Sequence, residues 1–111
     1  MIEPCGIPVL AVDFDGCLCD SSWPELGDPI MPVLSAAKRR QEHGWKIILW
    51  TCRCGDALQK AVEWCRDWGL EFDAVNDNLP EVKAAYGENS RKITATEYWD
   101  DRAAYMGRDT P

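Results

Sequence analysis

The stretch Ile7-Pro8-Val9-Leu10-Ala11-Val12-Asp13-Phe14-Asp15-Gly16 decides the fold of this 111-residue chain. It begins as an almost unbroken apolar run, which is typical of a strand buried on both faces of a parallel sheet. Asp13 and Asp15 follow at the strand's carboxyl end, which is where open α/β sheets bind their ligands. Gly16 lets the backbone leave the strand sharply and lets a ligand approach it closely.

The two carboxylates of this stretch stand one residue apart and repel each other when both are ionised. A divalent cation would keep at least one of them ionised, and hard oxygen ligands of this kind suit Mg²⁺. On this stretch alone a plainer interpretation stays open, namely two acidic turn residues after a buried strand.

Composition predicts one globular domain over residues 1–111, because 46% of the residues are hydrophobic and 28% are charged. The net charge of −7 provides no general basic surface, so strong nucleic-acid binding and membrane binding are not expected. The sequence shows no signal peptide and no membrane-spanning run, which predicts a cytoplasmic location. The six cysteines, including Cys5, are then expected to be mostly thiols.

Hydrophobic periodicity predicts four strands that alternate with three helices. The strands are expected at 7–12, 46–51, 72–75 and 93–99, and the helices between Ile30 and Gly44, between Asp56 and Gly69, and from Leu79 to Tyr86. Residues 20–29 are rich in Pro, Gly and Ser and predict a loop, and a last helical turn and the tail 107–111 close the chain. This alternation predicts a parallel α/β sheet with helices on both faces.

Polar residues follow three of the predicted strands, and the carboxyl ends of parallel strands meet at one edge of the sheet. The residues expected there are Asp13, Asp15, Thr51, Arg53, Asp100 and Asp101. Clustered acids can hold Mg²⁺, a hydroxyl and an ammonium group can bind phosphate oxygens, and a remaining carboxylate can act as a nucleophile. These are the components of phosphoryl transfer through an aspartyl-phosphate.

Four motifs of the chain resemble those of the haloacid dehalogenase superfamily. Val12-Asp13-Phe14-Asp15-Gly16 resembles the first motif, and Leu49-Trp50-Thr51 resembles the second. Lys92 matches the lysine that precedes the last strand, and Tyr98-Trp99-Asp100-Asp101 is similar to the acidic fourth motif. The motifs follow the family's order, and the chain looks like the small, capless phosphatase-like members whose final motif reads Asp-Asp-Arg.

The resemblance implies a Rossmann-like three-layer sandwich with a central parallel sheet, strand order 3-2-1-4 and no cap domain. It also implies a Mg²⁺-dependent phosphatase in which Asp13 is the nucleophile and Asp15 the acid/base. Chemistry supports the second role, because a leaving alkoxide needs a proton and a nearby carboxyl can be raised in pKa to give one. By resemblance, Thr51 and Lys92 hold the phosphate, Asp13, Asp100 and the backbone carbonyl of Asp15 bind Mg²⁺, and Asp101 supports these ligands. Arg53, from its place after Thr51, and Gly16 are also predicted to bind the phosphate.

Several sequence features leave alternatives beside these assignments. Arg53 could simply pair with an acid. Cys17 stands where the family often has threonine, which is expected to tune the site without abolishing it. The pairs Cys17/Cys19 and Cys52/Cys54 lie at the same edge, but Cys-x-Cys is not the usual zinc spacing, so no cysteine metal site is predicted.

Two other functions compete with a small-molecule phosphatase. A non-enzymatic phospho-acceptor or binding domain of similar topology is disfavoured, because the second predicted strand ends in Thr51 and not in an acceptor aspartate. A polynucleotide-end phosphatase fits an uncapped site, but the net charge of −7 favours a small phosphorylated substrate. The mouth of the site is then expected to be covered by the loop around Trp23 or by a second copy in a homo-oligomer.

Overall fold

The structure is a computed structural model that describes residues 6–102. Its elements are β1 (Val9–Val12), β2 (Cys19–Ser22), β3 (Glu25–Pro29), α1 (Met31–Glu42), β4 (Lys46–Leu49), α2 (Gly55–Asp67), β5 (Ala74–Val75), α3 (Pro80–Tyr86) and β6 (Glu97–Trp99). Cys5, the last predicted helical turn and the tail 107–111 lie outside the described residues. Among the helices that are described, none has the length and apolarity needed to cross a membrane.

Strand β1 lies inside a parallel four-stranded sheet with the order β5–β4–β1–β6. It pairs along its whole length with β4 on one side, and its residues from Leu10 to Val12 pair with β6 on the other. All of its side chains are buried, as the apolar run predicts for a strand with neighbours on both sides and layers on both faces. The predicted parallel α/β sheet is therefore confirmed.

Helices pack on both faces of the sheet because successive strand side chains point to opposite sides. Leu10 and Val12 of β1 are buried with residues of α1 and α2, such as Leu34 and Cys65. The other side chains of β1, including Val9, are buried with residues beside and within α3. The sheet therefore forms the middle layer between α1 and α2 on one face and α3 on the other.

Residues 20–29 are not the predicted loop but form most of the antiparallel hairpin β2–β3. Cys19 pairs with Pro29, and Ser22 pairs with Glu25 across the turn. The composition of these residues is typical of turns, so it did not predict strands. Pro29 stands at the end of β3, where proline is tolerated. Gly27 is required by packing, because a Cβ at this position would collide with the backbone carbonyl of Asp20. The hairpin is two-stranded, so its prolines interrupt no central ladder.

The predicted fourth strand, 93–99, is also shorter than expected and covers only Glu97–Trp99. The buried side chain of Asn78 explains this difference. Its Oδ1 accepts the Thr94 N–H at 2.7 Å, while its Nδ2 donates to the carbonyls of Ser90 and Lys92 at 3.1 and 3.3 Å. A side chain therefore satisfies the backbone groups that a neighbouring strand would otherwise bond.

The central position of β1 gives a stability prediction. Leu10→Ala should lower the free energy of unfolding by about 2–5 kcal/mol, because Leu10 is completely buried and the substitution leaves a cavity. The matched control is Leu26→Ala on the hairpin, where the leucine is 37% exposed, and it should cost less than about 1 kcal/mol. Urea denaturation measures both values, and equal losses would contradict the described core.

Candidate active site

The carboxyl ends of β1, β4 and β6 surround a cleft of about 500 Å³. Most of the residues predicted from the sequence line this cleft, namely Asp13, Asp15, Gly16, Thr51, Asp100 and Asp101. The hairpin borders it through Ser21, and the loop after β4 contributes Cys52. Parallel pairing has thus brought side chains from three separate strands into one concave site.

Three carboxylates of the cleft form a compact acidic triad, defined as Asp13, Asp100 and Asp101. One carboxylate oxygen from each of the three residues lies within 4.8 Å of the other two. Asp13 is half-buried, and the two residues after β6 are exposed. A set of hard oxygen donors at this spacing suits one divalent cation such as Mg²⁺.

The ionised form of Asp13 is destabilised by burial and by the neighbouring carboxylates. Burial, together with the neighbouring carboxylates of Asp100, Asp101 and Asp15, raises the pKa of Asp13 to about 6. The Phe14 N–H opposes the shift by donating to Asp13 Oδ1 at 2.7 Å. A cation bound by the triad would offset this repulsion, so the donor set fits a bound divalent metal.

Gly16 allows Asp101 to complete the triad. Its φ of +76° favours glycine, and a Cβ at this position would lie 2.5 Å from Asp101 Oδ2. The predicted role of Gly16 in phosphate binding is not supported through its backbone N–H, which donates to the Cys19 carbonyl at 2.9 Å. Its observed role is to make room for a carboxylate.

Arg53 is almost completely buried, with 1% of its surface exposed, and it forms an ion pair with Asp15. Its Nη2 lies 2.7 Å from Asp15 Oδ1, and its Nε lies 2.9 Å from Oδ2. The guanidinium carbon lies 4.7 Å from the ring centroid of Trp23 and 5.1 Å from that of Phe14. Nη1 donates to the Pro24 carbonyl at 3.3 Å, so Arg53 also holds the hairpin turn.

These contacts correct two expectations. Arg53 was predicted to bind the substrate phosphate, but its donors are directed to Asp15 and to backbone carbonyls, which is the alternative of pairing with an acid. Burial acts to raise the pKa of Asp15, but the hydrogen bonds from Arg53 outweigh it and hold that pKa below its usual value. The buried Ser21 hydroxyl acts in the same direction without reaching normal hydrogen-bond geometry. The raised carboxyl pKa therefore belongs to Asp13 and not to Asp15.

Lys92, which the resemblance assigns to the phosphate, is exposed and is not among the residues that line the acidic cleft. Its Nζ lies 5.9 Å from the centroid of the Tyr98 ring, in a separate cleft on the α3 side. The physical reason is the bonding of Asn78 to the backbone of the same loop, described above, which holds this segment beside α3.

Thr51 lies in the cleft at the end of β4, as predicted. Its hydroxyl oxygen accepts the Arg53 N–H at 3.2 Å, so its own proton is a donor for an oxygen in the cleft. The Asn76 side chain accepts the Thr51 N–H at 2.8 Å and was missed as a site residue by sequence reasoning. The available signal was an asparagine after a strand, since asparagine tolerates the positive φ of 52° found there.

The cysteines at this edge are free thiols in the structure. Cys17 is buried, and its thiol lies 3.8 Å from the Trp99 carbonyl oxygen. Burial and the negative charge of the acidic triad together raise the pKa of this thiol to about 11, so the group is neutral near pH 7. Cys17 therefore adds no charge to the acidic cleft.

The contact between Gly16 and Asp101 gives a prediction about metal binding. Gly16→Ala and Gly44→Ala should each lower the free energy of unfolding by about 1–2 kcal/mol, because both glycines have positive φ. Only Gly16→Ala should weaken Mn²⁺ binding, by about tenfold, because its methyl group displaces a triad carboxylate while Gly44 has open space around it. Calorimetric titration with Mn²⁺ measures the difference, and unchanged affinity in Gly16→Ala would contradict the assigned contact.

Comparison with known proteins adds one solved structure to these observations. No protein-family model matches the chain, and no curated protein matches it. The structure of a conserved protein from Bacteroides thetaiotaomicron is similar to it, with a TM-score of 0.76 and 38% sequence identity. The match covers 87% of this chain and 78% of that chain.

Proposed function

The chain belongs to the same family as the conserved Bacteroides thetaiotaomicron protein, and we propose that it is a Mg²⁺-dependent phosphatase of the haloacid dehalogenase type. Its substrate is a phosphomonoester, and its intermediate is an aspartyl-phosphate on Asp13. The observation that carries this proposal is the acidic triad, whose carboxylate oxygens lie within 4.8 Å of one another beside Asp15 and Thr51.

The topology supports the same proposal. Counted among the strands of the parallel sheet, the order β5–β4–β1–β6 is third, second, first and fourth. This is the order that the resemblance implies, and the first, second and fourth motifs lie at the carboxyl ends of β1, β4 and β6. Fold alone does not establish an activity, so the argument rests on the carboxylates.

The acidic triad would hold the Mg²⁺ ion, to which the resemblance adds the backbone carbonyl of Asp15. When bound, the ion supplies positive charge that offsets the repulsion between the carboxylates and a phosphate dianion. The triad fits a divalent cation because three hard carboxylate oxygens converge on one place. Their mutual repulsion, which a cation would offset, contributes to the raised pKa of Asp13. An ionised Asp13 is the form that acts as a nucleophile.

In the first step, a carboxylate oxygen of Asp13 attacks phosphorus, and the bond from phosphorus to the ester oxygen breaks. The Thr51 hydroxyl donates to a phosphate oxygen, and Asp15 in its protonated form gives its proton to the leaving oxygen. Because Arg53 favours the ionised form of Asp15, leaving groups that need little protonation should react fastest.

In the second step, water attacks the phosphorus of the aspartyl-phosphate, and Asp15 accepts the proton from that water. Phosphate leaves, Asp13 is regenerated as a carboxylate, and Asp15 is protonated for the next cycle. The ion pair with Arg53 fits this step well, because it keeps Asp15 ionised and fixed in one orientation.

The hairpin β2–β3 limits access to the cleft from one side. Ser21 lines the cleft, and Arg53 fastens the turn at Trp23 and Pro24 to the buried site. A partial cover of this kind suits a small phosphorylated substrate, which needs water excluded during the reaction. A second copy of the chain remains a proposed alternative for covering the other sides.

Asp13→Asn should abolish hydrolysis of p-nitrophenyl phosphate with Mg²⁺ present, with a loss of at least about a thousandfold in kcat. An amide cannot form the acyl phosphate, while its similar shape should preserve the fold, which circular dichroism monitors. The control is Asp28→Asn on the exposed side of the hairpin, which should retain wild-type activity. Near wild-type turnover in Asp13→Asn would exclude the covalent mechanism.

Asp100→Asn should raise the Mg²⁺ concentration required for half-maximal activity by about 10- to 100-fold, because it removes one charged donor of the triad. Metal dependence of the phosphatase rate and Mn²⁺ titration of the same protein provide two independent readouts. Asp67→Asn, at the end of α2, is the control for a general change in surface charge. An unchanged metal requirement in Asp100→Asn would show that the triad is not the metal site.

A further inference from the structure

A second cleft lies on the α3 side of the sheet and includes Tyr98, whose ring contacts Trp50 near Asp13. We propose that this second cleft binds the alcohol part of the substrate. The chemistry of its residues selects a phosphomonoester whose leaving group carries a planar aromatic ring with polar edges, as a nucleoside monophosphate does. This inference rests on the proposed function for the phosphate end of the substrate and names the substrate class for it.

Trp50 lies between Asp13 and the second cleft. It directly follows β4, where its backbone N–H donates to the Val12 carbonyl at 2.9 Å, and it lines a smaller cleft together with Asp13 and Asp100. Its ring centroid lies 5.6 Å from that of Tyr98, which lines the second cleft. A substrate held at Asp13 by its phosphate therefore has an indole ring next to its leaving group.

The aromatic pair is held in place before any ligand binds. The Tyr98 hydroxyl donates to the Ile93 carbonyl at 2.5 Å and accepts the Ala95 N–H at 3.2 Å. Trp50 is 42% exposed, so its ring retains surface for stacking. Rings that are already fixed lose little conformational entropy when a planar ligand stacks on them.

The second cleft has the size and composition of a small-molecule site. Its volume is about 560 Å³, within the range of ligand pockets, and apolar and aromatic residues such as Ile93 and Tyr86 line it. Lys92 and Glu88 lie in the same wall and are exposed. A lysine donates to ring nitrogens or carbonyls and a glutamate accepts from ring amino groups, so the pair suits the edge of a nucleobase.

Exposure of a tryptophan alone would not support this proposal, since single exposed apolar side chains are common. Trp68 is an example, because it is also 42% exposed but lines neither cleft. It lies at the end of α2, where its ring contacts Trp64. Trp50 differs by lining the region of Asp13 and by contacting a ring of the second cleft. Trp68 is therefore the matched control.

The first experiment compares kcat/KM for the common ribonucleoside 5′-monophosphates with kcat/KM for ribose 5-phosphate, which has the same leaving oxygen but no base. Trp50→Leu should reduce the preference for the best nucleotide about tenfold, which is typical for loss of a base–aromatic stack. Trp68→Leu should leave the preference unchanged. A preference unaffected by Trp50→Leu would overturn the proposal, and so would the absence of any preference in the wild type.

Lys92 allows a second experiment, because this inference assigns it to the base of the substrate, whereas the motif resemblance assigns it to the transferred phosphate. Lys92→Gln should reduce kcat/KM for the nucleotide by about tenfold more than for phenyl phosphate, whose ring has no hydrogen-bond acceptors. Lys60→Gln on the exposed side of α2 is the control for charge. Equal losses of kcat/KM on both substrates would indicate that Lys92 binds the phosphate, and would contradict its proposed role in binding the base.

Binding separates failure of this inference from failure of the proposed function. Calorimetric titration of the wild type and Trp50→Leu with the common ribonucleosides, which carry no phosphate, needs no turnover. If a nucleoside binds only to the wild type and no phosphomonoester is hydrolysed, base binding in the second cleft is supported and the phosphatase proposal fails. If esters are hydrolysed but Trp50→Leu changes neither nucleoside binding nor the preference for a nucleotide over ribose 5-phosphate, the phosphatase proposal is supported and base binding in the second cleft is excluded.

Discussion

The pairing of β1 with a parallel strand on each side is the constraint on which the site depends. Val12 stands opposite Leu49 of β4 and opposite Trp99 of β6, so the residue after each strand leaves the sheet at the same level. Hydrogen bonds extend this register by one residue, from the Asp13 N–H to the Trp99 carbonyl. A slip of one residue would turn the buried side chains of β1 to the wrong faces, so core packing fixes the position of the acids.

The charges at this edge are distributed unequally. The buried guanidinium of Arg53 is directed to Asp15, which is therefore compensated. Asp13 lies in the acidic triad, and among residues 6–102 no cationic side chain forms an ion pair with it. Burial acts to raise the pKa of both residues, and at Asp15 the hydrogen bonds from Arg53 outweigh it. This difference in partners, and not a difference in residue type, explains why two aspartates one residue apart have pKa values shifted in opposite directions.

Local sequence patterns were sufficient for some parts of the structure and not for others. The buried strand before Asp13 and the strand before Thr51 were predictable because short apolar runs report burial on both faces. The hairpin was missed because proline, glycine and serine indicate turns even where they occupy an edge strand. The partner of Arg53 and the position of Lys92 depend on tertiary contacts with distant residues, which a motif does not encode.

The two faces of the sheet differ in the amount of apolar surface that they bury. Among the described residues, thirteen buried side chains form the cluster under α1 and α2, while six form the one under α3, a helix of seven residues. Local opening costs less where fewer apolar contacts are broken, so amide hydrogens in α3 should exchange with solvent ahead of those in α1 and α2. Tyr86 at the end of α3 lines the second cleft. The weaker layer of the fold therefore forms one wall of that cleft, and a molecule bound there would slow hydrogen exchange in this layer most.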